Sequence, residues 1–162
     1  MSDTARGPFV FPPELWFGLL CQAVGQDEAK RINLIGIFNK VALQEPPAST
    51  GVPAHAALNG ILAIGFSGGL GHFEAEVELR NADGHTLWQR PEGHWAFDLG
   101  PGDQGGAVLV EQVKYWLTQL GQYHYWVRLE PSGAEHQIHF EVHRQIAPTE
   151  VQSDANQPNE PQ

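Results

Sequence analysis

Gly121-Gln122-Tyr123-His124-Tyr125-Trp126-Val127-Arg128-Leu129, then Glu130-Pro131-Ser132-Gly133, then Gln137-Ile138-His139-Phe140-Glu141-Val142-His143, alternates apolar and polar residues almost without a break. Such alternation is the pattern of a half-buried β-hairpin. Tyr123, Tyr125, Val127 and Leu129 on the first strand and Ile138, Phe140 and Val142 on the second are assigned to the core. The opposite face then carries His124, Trp126, Arg128, His139, Glu141 and His143. Keeping both apolar sets inside requires an even number of loop residues, because a one-residue slip turns every side chain to the other face. A four-residue loop, Pro131 to Ala134, sets His124 against Glu141 and Trp126 against His139. A two-residue Gly133-Ala134 turn sets His124 against His143.

The rest of the chain reads in the same way. Glu14 to Val24 and Ile32 to Val41 form an expected opening hairpin around the polar turn Gln26-Asp27-Glu28-Ala29-Lys30, the second strand apolar on both sides and therefore expected to be central. A loop rich in Pro, Ser and Gly follows from Glu45 to Pro53. Further strands are expected near Leu58 to Phe66, His72 to Arg80 (Phe73, Ala75, Val77 and Leu79 inward, three Glu outward), His85 to Trp88 and Trp95 to Phe97. Asp83-Gly84 suits the positive φ of a tight turn. Val108 to Leu120 fits both a strand and, through Leu109, Val113, Trp116, Leu117 and Leu120, a helix. A strand is favoured because Val, Tyr and Trp suit a pleated surface and because the strand from Gly121 needs a partner. The expected fold is all-β: an antiparallel, immunoglobulin-like sandwich of seven to eight strands. It spans residues 14–144, after an N-terminal lead (1–13) whose Phe9-Val10-Phe11 is expected to tuck against it. The last segment, 145–162, is acidic and too polar to bury a core, so it is expected to be disordered.

Nine Lys plus Arg against nineteen Asp plus Glu give a formal charge of −10. That balance repels nucleic-acid phosphates and anionic membrane surfaces alike. No stretch approaches the roughly twenty apolar residues that span a bilayer. Pro12, Pro13 and Glu14 interrupt the early apolar run, unlike a secretory signal, so a cytoplasmic protein is expected. The single cysteine, Cys21, allows no intramolecular disulfide and reads as a small buried hydrophobe.

Leu19-Leu20-Cys21, followed by Ile32-Asn33-Leu34-Ile35-Gly36-Ile37-Phe38, a proline-bearing loop and a late Gly121-x-Tyr123, resembles a family of functionally uncharacterised bacterial domains that open on an LLC…LIGIF-type hairpin. The resemblance covers most of residues 14–144 and implies a cytosolic β-sandwich without known catalytic residues. Gly121-x-Tyr123 is also similar to the tyrosine corner of immunoglobulin-like sandwiches, where the phenol hydrogen-bonds back to the preceding turn.

Catalysis finds little footing, and no cofactor is implied. There is no phosphate-binding glycine loop and no His-Glu-x-x-His. Gly65-Phe66-Ser67-Gly68-Gly69 matches the letters of a nucleophile elbow, yet a strand rather than a helix follows it. His72 and His85 flank an acidic strand without an oriented partner. For a metal, His139 and His143 stand about 13 Å apart along a strand, too far for one zinc ion, which leaves His124, Glu141 and His139 as the one plausible trio. Trp126 among polar residues is expected to expose its indole, and with Arg128 it belongs to the residue types that anchor interfaces. The expected function is a noncatalytic interaction module. Trp126, Arg128, His124, His139, Glu141 and His143, or a free sheet edge, would bind a protein partner or a second copy as a homodimer. The alternative is a ligand-binding or hydrolytic sandwich, metal-dependent or binding a carbohydrate or small molecule, that uses surface His residues and Trp88, Trp95 and Trp126.

Overall fold

A computed structural model describes residues 11–46, 48–101 and 106–145. Within them lie eleven strands: β1 (Glu14–Cys21), β2 (Ala23–Gln26), β3 (Ile32–Ile35), β4 (Lys40–Leu43), β5 (Ala56–Ser67), β6 (Gly71–Asn81), β7 (Thr86–Gln89), β8 (Trp95–Leu99), β9 (Ala107–Leu117), β10 (Gly121–Glu130) and β11 (Ala134–Arg144). Three form one sheet in the order β1-β5-β9. Six form the facing sheet, β4-β11-β10-β6-β7 with β8 also on β6, and β2-β3 is a separate ribbon. Every pair is antiparallel except β4 with β11. The all-β sandwich is therefore as the alternation predicts. It has more strands than the expected seven or eight, because short pieces such as β2, β3 and β4 are separate elements.

The core fills the space between the sheets. Leu62, Ile64 and Phe66 of β5 meet Ala75, Val77 and Leu79 of β6, Tyr125, Val127 and Leu129 of β10, and Phe140 and Val142 of β11, all buried, and buried Phe73 of β6 packs on Phe97. Each buried Val, Leu, Ile or Phe among them contributes about 1.5–3 kcal/mol by leaving water. Phe66 stacks on Phe97 at 5.5 Å and Tyr123 on Phe140 at 5.7 Å.

The closing hairpin keeps the parity read from sequence but not the position of its loop. Leu129 pairs with Ala134, so the four loop residues are Glu130 to Gly133 and His124 faces His139. Gly133 fixes this: it adopts φ 69° and donates its N–H to the Leu129 carbonyl at 2.7 Å. Tyr123 makes the expected corner, its hydroxyl donating to the Gln119 carbonyl at 2.9 Å.

Two expectations fail. The opening hairpin is not one unit: β1 pairs with β5, only β2 pairs with β3, and β4 runs beside β11. Gly36, at φ 65°, turns the chain inside the run Ile35-Gly36-Ile37. That stretch is not central either, since Ile32, Ile35 and Ile37 are 42, 57 and 61% exposed. Residues 107–117 do form a strand, but β9 pairs with β5 and not with β10, because the chain crosses between sheets through Thr118 to Leu120. Phe11 bridges to Leu70, while Phe9, Val10 and the tail beyond Gln145 lie outside the described residues.

Candidate functional site

The outer face of the six-stranded sheet gathers most of the residues singled out by the hairpin. His124 lies between His139 of β11 and Arg80 of β6, Trp126 between Gln137 and Glu78, and Arg128 between Glu135 and Glu76. Trp126, however, is only 7% exposed. The Arg80 guanidinium carbon sits 3.9 Å from its ring centroid, and the indole Nε1 donates to Glu135 Oε2 at 3.2 Å. The expected apolar anchor is thus covered by a cation–π contact.

Glu78 holds that cover in place. It points outward as expected of its strand, yet it is buried, accepting hydrogen bonds from Arg80 Nε at 2.7 Å, Thr86 Oγ1 at 2.8 Å and Gln89 Nε2 at 2.6 Å. Burial pushes its carboxyl upward, but the donors from Thr86, Gln89 and Arg80 outweigh that and leave it below the usual carboxylate range. The His124 ring lies 5.5 Å from that of His139. Burial first, then the neighbouring His139 and Arg80, lower its pKa.

The metal trio is not assembled. Glu141 faces Gln122 and Lys40, and His143 lies beside Ala42. Among the described residues no group of three or more His, Cys, Asp or Glu could hold an ion. The three tryptophans of the carbohydrate alternative are also split. Trp88 and Trp95 sit opposite Leu79 and Ala75 on the inner side of the sheet and pack against the core, whereas Trp126 is on the outer side. Ser67 ends β5 and leads through Gly68 and Gly69, both at positive φ, into β6. His72 Nδ1 pairs with Asp98 at 2.9 Å across β6 and β8, on the surface.

Sequence reasoning missed the opposite side of the molecule. On the three-stranded sheet the rows Phe17-Gly65-Val108, Leu19-Ala63-Val110 and Cys21-Ile61-Gln112, with the pair Ala57-Trp116, share the parity opposite to buried Leu62, Ile64, Phe66, Val113 and Leu117. This outer face is therefore apolar between Phe17 and Val110, and Asn59, Gln112 and Lys114 lie between that stretch and Trp116. Val110 is 43% and Trp116 57% exposed, and Trp16, beside the irregularity in β1, is 69% exposed. The Phe17 ring lies over Gly65, where an added Cβ would come within 2.2 Å of it. A concavity of about 490 Å³ lies over part of this face, lined by Gln22, Asn59, Gly60, Ile61, Val110 and Gln112. A usable signal was present: Leu58 to Phe66 is apolar at nearly every position, the composition of a strand covered on both faces. Cys21 is fully buried, and burial pushes its thiol pKa up.

This two-faced sandwich matches the model of a protein family over residues 17–143. The chain belongs to the Family of unknown function (DUF6941). The DUF6941 match runs from Phe17 of β1 to His143 of β11, so it takes in both sheets and both outer faces. No curated protein matches the chain.

Proposed function

We propose that this DUF6941 domain is a noncatalytic module that binds a protein partner through the outer face of its three-stranded sheet. The observation that carries the reading is the pairing of Phe17, Leu19, Ile61, Ala63, Val108 and Val110 on one side of β1, β5 and β9, with Trp116 exposed further along the same face, beyond Gln112 and Lys114. Ala63 is buried, Phe17, Leu19, Ile61 and Val108 are half-buried, and Val110 and Trp116 are exposed; apolar surface left on an outer face marks contact sites, and aromatic residues dominate their energetics. The whole chain carries a formal charge of −10, while this face has Lys114 on β9 and no carboxylate from β5 or β9. A partner with an apolar patch and a basic periphery is steered by the acidic body and docks on the neutral face. A cytoplasmic setting agrees with a single buried, unpaired cysteine.

A small-molecule reading has one observation behind it, the concavity rimmed by the carboxamides of Gln22, Asn59 and Gln112. These groups suit a neutral, hydrogen-bonding ligand. A glycan array and a thermal-shift screen of neutral ligands, both blank, would remove it.

The protein-binding reading is tested by placing a photo-crosslinking residue at Val110 and, as a control, at Glu74 on the other sheet, in the organism's own cells. A discrete protein adduct from position 110 alone is the expected result. Equal adducts from both positions, or none from 110, would overturn it.

A further inference from the structure

The six-stranded sheet ends on an edge that is only half covered. β4 pairs with β11 at Glu141 to Arg144, and among the described residues no strand lies beside Ala134 to Phe140 on that side. Glu141 N–H donates to the Asn39 carbonyl at 2.9 Å, so the amide of residue 141 points away from β10. By the two-residue period of a strand, the N–H and C=O groups of Glu135, Gln137 and His139 point the same way. Their side chains are exposed. The groove beside them, about 380 Å³, runs between this edge and Gly18, Leu19, Ile37 and Phe38.

We infer that this half-edge is a self-pairing site, at which β11 of one copy adds antiparallel to β11 of a second copy about a two-fold axis at Gln137. The register follows from the chemistry. With three free residues of one parity, only an axis at Gln137 engages all of them, setting Glu135 against His139 of the partner subunit, Gln137 against its own symmetry mate, and His139 against the partner's Glu135. Each of these pairs exchanges two backbone hydrogen bonds, six in all. The side chains agree with the pairing. A carboxylate meets an imidazole twice and two carboxamides meet at the axis, so the edge is self-complementary despite the acidic body. Sliding by two residues one way sets Glu135 against the partner's Glu141, whose backbone β4 already occupies. Sliding the other way opposes His139 to the loop residue Gly133. The Trp126 indole, donating to Glu135 Oε2 at 3.2 Å, holds that carboxylate on the outer side of the edge. No lysine lies on this stretch of the edge, unlike an edge protected by unpaired lysines. Because the axis stands normal to the sheet, the assembly presents two three-stranded sheets on one side. The inference does not depend on what binds there.

The test uses the full chain in sedimentation velocity over a range of concentrations, with Gln137→Pro and Gln137→Ala beside it. Proline at 137 removes an N–H that points to the free edge and leaves the bonds to β10 in place. Wild type and Gln137→Ala are expected to dimerise as concentration rises, while Gln137→Pro stays monomeric with an unchanged far-ultraviolet spectrum. Should the proline variant unfold, amide exchange of the wild-type protein decides: the Gln137 and His139 amides should slow by about tenfold between micromolar and near-millimolar protein. A wild-type monomer throughout, a proline variant that dimerises equally, or concentration-independent exchange at these two amides would each overturn the inference.

Discussion

Arg80 caps Trp126, its guanidinium carbon 3.9 Å from the ring centroid, while Glu78 pairs with the same guanidinium at 2.7 Å. Stacking and a charge-assisted pair thus share one side chain, a combination a lysine cannot reproduce. Arg80→Ala leaves Glu78 buried without its cation and uncovers the indole. It should cost about 1.5–3 kcal/mol in urea unfolding and shift Trp fluorescence to the red. Arg80→Lys should recover less than half of the loss, and an alanine variant as stable as the parent would show that the stack contributes nothing.

How much of this was legible in the sequence depends on how local the cause is. The hairpin alternation gave the inward set Tyr123, Tyr125, Val127, Leu129, Ile138, Phe140 and Val142, since period two is a property of neighbouring residues. Trp126 was misjudged because its cover comes from β6, a strand distant in sequence and adjacent only once the sheet forms. The Ile35-Gly36-Ile37 run read as a continuous strand because the positive φ of Gly36 is invisible in a run of apolar letters. The outer face of β1, β5 and β9 was legible in principle: Ile61-Leu62-Ala63-Ile64 is apolar at both parities, and that is a statement about two faces.

His124 gives the molecule a pH response whose sign is fixed by its surroundings. Burial, His139 and Arg80 all disfavour the imidazolium, so the folded pKa lies below the ordinary histidine value. The unfolded chain therefore takes up the proton first. The stability due to neutral His124 is complete above about pH 6.5 and is lost as pH falls through the lower folded pKa. His139→Ala removes one of the opposing charges. The expected result is a His124 ring titration, followed by NMR, that moves upward in the variant, with a shallower loss of stability between neutral and mildly acidic pH. An unmoved titration would show that His139 does not act on His124.

The Tyr123 corner ties the crossover from β9 to the start of β10, because the phenol of a buried ring reaches back to the Gln119 carbonyl at 2.9 Å. Tyr123→Phe keeps the stacking on Phe140 and deletes only that hydrogen bond. A loss of about 1 kcal/mol is expected, measured by thermal unfolding, with faster exchange of the amides in Thr118 to Leu120. A variant of unchanged stability would mean that the carbonyl is equally well satisfied by water.

The outer face of the three-stranded sheet should divide into a part that stabilises and a part that only contacts. Gly65 lies under the Phe17 ring, where even a Cβ would come within 2.2 Å of Phe17. Gly65→Val therefore displaces the ring from β1 and should cost about 1–3 kcal/mol, the range for forcing extra methyl groups into a packed site. Trp116 occupies the same face but is 57% exposed, touching His55 edge-on with ring centroids at 4.9 Å. Trp116→Ala should change stability by no more than about 0.5 kcal/mol while reducing crosslinking from a probe at Val110. If Trp116→Ala unfolds the domain as readily as Gly65→Val, the tryptophan is a packing residue and the face loses its strongest candidate for partner contact. If crosslinking falls in a variant that melts like the parent, the exposed indole belongs to the binding surface.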